Sequence, residues 1–256
     1  MIFLSKIYLG IDTSCYTTSL GVITENGHRH YKIPLKVKEG QCGLRQSDAV
    51  FEHIKNLPAL FEEMSREFDL TKYEEKVISV STRPRNQEGS YMPVFMAGQS
   101  FARAISASIG AKLNEVSHQD GHIMAAIYSC GVYSALSEPF LAFHISGGTT
   151  ELVLAKFSKT SFDCKIVGGT KDLPAGQFID RIGVLMGMEF PCGKYLDTMA
   201  MEYENDEKVK TSVSEGYINF SGEETRYRRL YETGESKEKI AYCTMKTIRK
   251  SIIKTI

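Results

Sequence analysis

Two segments of this chain share one design: Lys6 to Ile23 reads KIYLGIDTSCYTTSLGVI, and Pro139 to Ala155 reads PFLAFHISGGTTELVLA. In each, an apolar strand enters a turn of Gly, Ser, Thr and Asp and returns as a second strand, the pattern of a β-hairpin. A tip of small residues lets backbone N–H groups come close to an anion, and hydroxyls add further donors, so each hairpin suits a phosphate. Taken singly, either is equally an ordinary hairpin. Repeated across enough chain for a complete subdomain, they predict a duplicated fold that clamps a phosphorylated ligand between its halves.

The intervening sequence reads as α/β. The charged stretch from Asp48 to Phe68 carries apolar residues at helical spacing and predicts a helix between strands at Ser19 to Thr24 and Val77 to Val80. A second helix is expected from Pro93 to Ile109, with proline tolerated in the first turn and Gly110 as the stop. A short strand from Leu113 to Val116 then delivers His118 and a further helical segment. Ser, Gly and Pro cluster between Tyr128 and Glu138, which divides the chain into a first domain over 1–135 and a second over 136–256. In the second domain, strands are expected at Leu141 to Ile145, Glu151 to Phe157 and Lys165 to Val167, followed by helices from Gly176 and Lys194. Glu202 to Glu215 is mostly charged and expected to be exposed.

With 42% hydrophobic and 24% charged residues in 256, the chain can bury a large core in one or two domains. A formal net charge of +0 does not announce a nucleic-acid partner, so any nucleic acid would have to be met by a local patch or another subunit. The densest basic cluster, Arg226, Arg228 and Arg229, reads most simply as a solvated helix face. The opening MIFLSKIYLG is interrupted by Lys6 too early for a signal peptide, and no apolar run is long enough to span a bilayer. A cytoplasmic protein with no membrane partner is expected. Cys15, Cys42, Cys130, Cys164, Cys192 and Cys243 form no CxxC pair, which predicts reduced thiols.

The segment SHQDGHIMAA places His118 and His122 four residues apart. On a helix, both imidazoles project from one face and can converge on a metal; the alternative is a pair of partly buried histidines satisfied by backbone groups. A zinc-protease reading fails because HExxH needs Glu directly after the first His, where this chain has Gln119. Asp120 is one position too late and is expected to face elsewhere. A third segment, LPAGQFIDRIGVLMGMEFPCGKYLDTMA, places Asp180, Gly193 and Asp197 around a helix, a proline turn and another helix start. An acidic side chain beside a glycine turn can accept from ribose hydroxyls while backbone passes close to sugar or base. A surface helix carboxylate and an ordinary turn would give the same pattern.

Jointly these residues resemble the universal tRNA threonylcarbamoyladenosine transferases, the glycoprotease or O-sialoglycoprotein endopeptidase family. LGIDTSCYTTSLGV is similar to their GIETSCDET segment, SHQDGH to their NHxEGH, HISGGTTEL to their VSGGHTxL, PAGQFIDR and FPCGKYLD to their AAGEAFDK and YPGGPxID, and FSGEETR to their FSGLKT. The resemblance runs in order across nearly the whole chain. It implies an actin-like ATPase fold of two ribonuclease-H-like lobes holding a nucleotide, ATP, AMP or threonylcarbamoyl-adenylate. By that resemblance His144, Ile145, Ser146, Gly147 and Gly148 meet the phosphate and sugar region, and Asp180 and Asp197 the ribose. Gly193 permits close approach, and His118 and His122 hold one Fe or Zn ion. The implied reaction moves threonylcarbamoyl from its adenylate to N6 of adenosine 37 in tRNA, with accessory proteins of that pathway or a homologous subunit as partners.

Departures from the family pattern keep other classes open. The acidic pair after the first Cys is Tyr16 and Thr17 here, the glycine-flanked proline of a GPG loop is Arg83-Pro84-Arg85, and the Glu of AAGEAFD is Gln177. The family's last strand, adenine loop and a further metal-site Asp find no match before Ile256, so the second lobe is expected to be C-terminally incomplete. A catalytically silent paralogue that binds nucleotide and metal and acts as a regulatory or interaction subunit is the alternative. A small-molecule kinase, with Asp12 organising Mg²⁺, is a third reading that leaves the histidine pair without a role.

Overall fold

Alternation builds the first sheet. In a computed structural model that describes residues 5–14, 16–36 and 44–256, β1 (Lys6–Asp12) turns Ile7, Leu9 and Ile11 inward and β2 (Thr17–Thr24) turns Thr18, Leu20 and Val22 inward. Cys15, Cys42 and the first four residues lie outside the described residues. β1 and β2 pair antiparallel, with Gly10 opposite Gly21, and β3 (Gly27–Pro34) extends the meander beside β2. On the other side of β1, β4 (Glu75–Arg83) and β5 (Lys112–Ser117) join in parallel. Parallel neighbours need crossovers. The helices α1 (Gln46–Glu67) and α2 (Phe95–Ile109) lie on those connections, and α3 (His118–Cys130) follows β5 directly. The order β3-β2-β1-β4-β5 is that of a ribonuclease-H-like lobe. Its core sets Leu57, Leu60 and Met64 of α1 and Ala97 and Ala102 of α2 against the inward residues of β1, β2 and β4.

The strand β3 had no sequence signal, since Tyr31 is the only buried residue in GHRHYKIP. A hairpin partner can hold such a strand at a sheet edge without an apolar face of its own.

The second sheet contains β6 (Phe140–Ile145), β7 (Thr150–Ser158), β8 (Ser161–Thr170), β9 (Ser212–Ser214) and β10 (Tyr217–Asn219), in the order β6-β7-β8-β10-β9. β8 is longer than its apolar centre predicts because it continues the β7 hairpin from Ser161. The helices α4 (Ala175–Leu185), α5 (Gly193–Met201), α6 (Ser221–Glu232) and α7 (Lys237–Thr255) complete this part. Phe178, Ile182, Leu196, Phe220, Tyr227 and Ile240 form its core, with Phe178 stacked on Phe220 at 5.4 Å and on Tyr227 at 6.1 Å between ring centroids. The charged stretch 202–215 contributes no buried residue. Arg226 and Arg228 pair with Glu223 and Glu224 on α6, as a solvated helix face does.

Contacts group the chain into two compact units. One comprises residues 1–137 with the β7–β8 tip 157–163, and the other residues 138–156 with 164–256. Among the described residues, no helix is long and apolar enough to cross a membrane.

Candidate metal and anion sites

The first unit turns from β5 into α3 at Ser117. Its hydroxyl accepts the Asp120 N–H while Asp120 accepts the Ser117 N–H, a capping box that fixes the first helical turn. Asp120 therefore faces inward, where its sequence position had implied only that it faces elsewhere than a protease glutamate would. Its carboxylate also accepts from the Asn86 side-chain amide and from the Phe162 N–H at 2.8 Å. The Gln119 N–H donates to the Pro84 carbonyl at 3.1 Å. The loop carrying Arg83-Pro84-Arg85 is thus a brace for the start of α3.

That turn presents both histidines. Their Nε2 atoms approach to 2.8 Å, and His118 Nδ1 lies 3.0 Å from Asp12 Oδ1 at the end of β1. Burial alone would raise the Asp12 pKa, but the His118 ring and the Ser14 and Ser81 hydroxyls outweigh it and hold it down at about 2. Although His122 is exposed as a residue, crowding strips water from its ring, and this desolvation, with the neighbouring His118, pushes its pKa below the usual value, which favours the neutral ring a metal requires. Two convergent imidazole nitrogens fit a ferrous or zinc ion. Among the described residues, no group of three His, Cys, Asp or Glu side chains is arranged to hold one, so the pair offers two ligand nitrogens and no third.

The second unit builds its anion candidate from the β6–β7 tip. The Ser146 N–H donates to the Thr149 carbonyl at 2.8 Å and closes the turn, leaving Ser146, Gly147 and Gly148 exposed. The Thr150 hydroxyl accepts the Ala175 N–H at 2.8 Å, which pins the first turn of α4 beside the tip. Contact is so close there that a Cβ on Gly176 would lie 2.5 Å from the Ser146 carbonyl oxygen and 2.6 Å from Gly147 Cα. Pro174, at the N-cap of α4, offers no side-chain cap. The small-residue hairpin tip therefore packs against the N-terminus of the eleven-residue α4, a setting whose helix dipole favours an anion, with the Ser146 and Ala175 N–H groups already bonded to Thr149 and Thr150. The first hairpin repeats the device: the Thr13 hydroxyl accepts the Gly98 N–H at 3.2 Å and donates to the Val94 carbonyl at 2.9 Å.

Of the sequence-derived candidates, His144 and Ile145 lie on β6 and lead into this tip. Asp180 sits on α4, where its Oδ1 accepts the Cys192 N–H at 2.8 Å and holds the turn that starts α5 at Gly193. Asp197 is exposed one turn further along α5. Asp180 and Gly193 are thereby joined through one hydrogen-bonded turn, whereas Asp197 shares only the helix. Asp12, Asn86 and Gly176 were not singled out for these positions. Asp12 entered the sequence reading only as the Mg²⁺ organiser of a kinase, and Gly176 left a trace as a glycine directly inside a helix start where a small residue has a packing reason.

Two α/β units that each open on a hairpin and dock a helix against its tip define an actin-like ATPase fold. A family model described as tRNA N6-adenosine threonylcarbamoyltransferase, TsaD, matches residues 36–256. A protein of that name from Streptococcus suis is 28% identical over 238 residues, covering 91% of this chain and 67% of the relative. The one from Desulfovibrio desulfuricans is 28% identical over 200 residues, 77% of this chain and 52% of the relative. Among solved structures, T. kodakarensis HypF aligns over 98% of this chain and 39% of its own at 12% identity and a TM-score of 0.49, too slight a likeness to bear on function. The chain belongs to the TsaD family.

Proposed function

We propose that this chain is a cytoplasmic tRNA N6-adenosine threonylcarbamoyltransferase that works with accessory proteins. The observation that carries the reading is the convergence of the His118 and His122 nitrogens at 2.8 Å on the first turns of α3. His122 is exposed and adds little to a core, so the pair calls for a chemical explanation rather than a packing one. A ferrous or zinc ion held by the two Nε2 atoms would supply Lewis acidity toward the carbamoyl donor. Ser146 through its hydroxyl, Gly147 and Gly148 through their backbone N–H groups, and the positive end of the α4 dipole hold the phosphate of the adenylate. Asp180, Gly193 and Asp197 take the ribose side. In the transfer, N6 of adenosine 37 bonds to the carbamoyl carbon, and the bond from that carbon to the phosphate oxygen breaks. AMP leaves with the electron pair, and N6 gives up one proton.

One feature favours a second reading. Tyr16 is half exposed and Thr17 opens β2 where the family pattern carries two carboxylates, which fits a nucleotide-binding paralogue without turnover. The deciding experiment supplies the protein and accessory subunits with threonylcarbamoyl-adenylate and unmodified tRNA, and reads modified adenosine by mass spectrometry. Turnover by the natural sequence supports the transferase. Turnover only after Tyr16→Asp with Thr17→Glu assigns the silent paralogue, a general base being worth about 10²–10⁴-fold. Silence in both, with AMP still bound, overturns transfer to this acceptor.

A further inference from the structure

We propose that Asp12 is a positioning residue for the metal site: it accepts the Nδ1–H of His118 and thereby directs the Nε2 lone pair of that ring toward His122. The proposal rests on the metal reading given above. Asp12 closes β1 and is built to stay in place. Its Oδ2 accepts the Ser14 N–H at 3.3 Å and the Ser14 hydroxyl, so the second oxygen, Oδ1, is the one left to face His118 Nδ1 at 3.0 Å. Both side chains are only about a quarter exposed, at 28% and 27%, so water competes weakly for the bond. The His118 ring is also tilted against Phe95 at 6.1 Å between centroids, which limits its rotation.

A carboxylate offers no proton, so His118 Nδ1 must carry the hydrogen, and a neutral ring then has its lone pair on Nε2. The 2.8 Å approach of the two Nε2 atoms follows, with His122 Nε2–H donating to His118 in the metal-free protein. An anchor for the hairpin turn alone would require only the Ser14 bonds of Oδ2. The bond to His118 joins two elements 106 residues apart and has no part in that turn.

The test uses Asp12→Asn, which keeps the shape and reverses the proton demand. The Ser14 N–H, which can only donate, requires the amide oxygen, so the NH₂ group faces His118 Nδ1 and drives the ring to the Nε2–H tautomer, as an isosteric amide does in a serine-protease triad. Long-range ¹H–¹⁵N correlation of the metal-free protein should show His118 protonated on Nδ1 in the natural sequence and on Nε2 in the variant. Zn²⁺ affinity by competition with a chromophoric chelator should fall about 10–100-fold. Asp12→Ala should give a mixture of tautomers and an intermediate loss, which keeps the question open to test if the amide variant fails to fold. An Nδ1–H tautomer with natural Zn²⁺ affinity in both variants would overturn the proposal. The control is His118→Ala: if it loses Zn²⁺ while the Asp12 variants do not, only the positioning role falls. If His118→Ala binds Zn²⁺ like the natural protein, the metal reading falls and takes the positioning role with it.

Discussion

Two glycines a few ångströms apart should respond in opposite ways to the same added methyl group. A Cβ on Gly176 would lie 2.5 Å from the Ser146 oxygen, 2.6 Å from Gly147 Cα and 2.8 Å from Gly147 N, all main-chain atoms with no rotamer to move. Overpacking of this kind costs about 1–3 kcal/mol. Alanine regains up to about 1 kcal/mol of helix propensity over glycine, less at the second residue of α4 than in its interior. The net for Gly176→Ala is a loss of about 1–2 kcal/mol, or roughly 2–8 °C in Tm for a chain of this size. A Cβ on Gly147 meets nothing within 4 Å. Gly147→Ala should therefore change stability by less than about 0.5 kcal/mol, yet it places a methyl where an anion must approach backbone N–H groups. AMP binding should weaken at least about tenfold, since one lost hydrogen bond to a charged group is worth about 1.5–3 kcal/mol. Scanning calorimetry and AMP titration on both variants separate the two effects. An unchanged Tm in Gly176→Ala would refute the packing of α4 on the tip, and unchanged AMP affinity in Gly147→Ala would remove the tip from the phosphate site.

Asp120→Ala should cost about 3–5 kcal/mol in urea denaturation, because it strips a buried acceptor from Ser117, Asn86 and Phe162 at once; a loss under about 1 kcal/mol would show that the α3 brace is unnecessary. Asp172 accepts from the backbone of Leu173, Phe220 and Ser221 at the start of α6, and these bonds, with the Ser221 hydroxyl, outweigh burial and lower its pKa. A carboxylate whose folded pKa lies below its unfolded value of about 3.9 contributes stability above that pH and loses it as pH falls through the folded value. The natural protein should thus be more stable than Asp172→Asn at neutral pH, by an amount reduced by solvent at this exposed residue, with the gap closing below about pH 4. A gap that widened as the pH fell below about 4 would contradict the sign.

Much of the molecule was legible in local pattern. Alternation in KIYLGID and TTSLGVIT specified both strands and their inward faces, and the small residues of HISGGTTEL specified a turn, because strand and turn signals act between neighbours. The i, i+4 spacing of His118 and His122 on a capped helix placed the rings together for the same reason. Tertiary structure decided what local pattern could not. The strand GHRHYKIP exists because β2 offers an edge, and the glycine at 176 matters because Ser146, thirty residues earlier, is folded against it. The proton on His118 is likewise set by a carboxylate 106 residues away. Periodicity encodes which way a side chain points along its own element, whereas the partner it meets depends on which elements the sheet brings side by side.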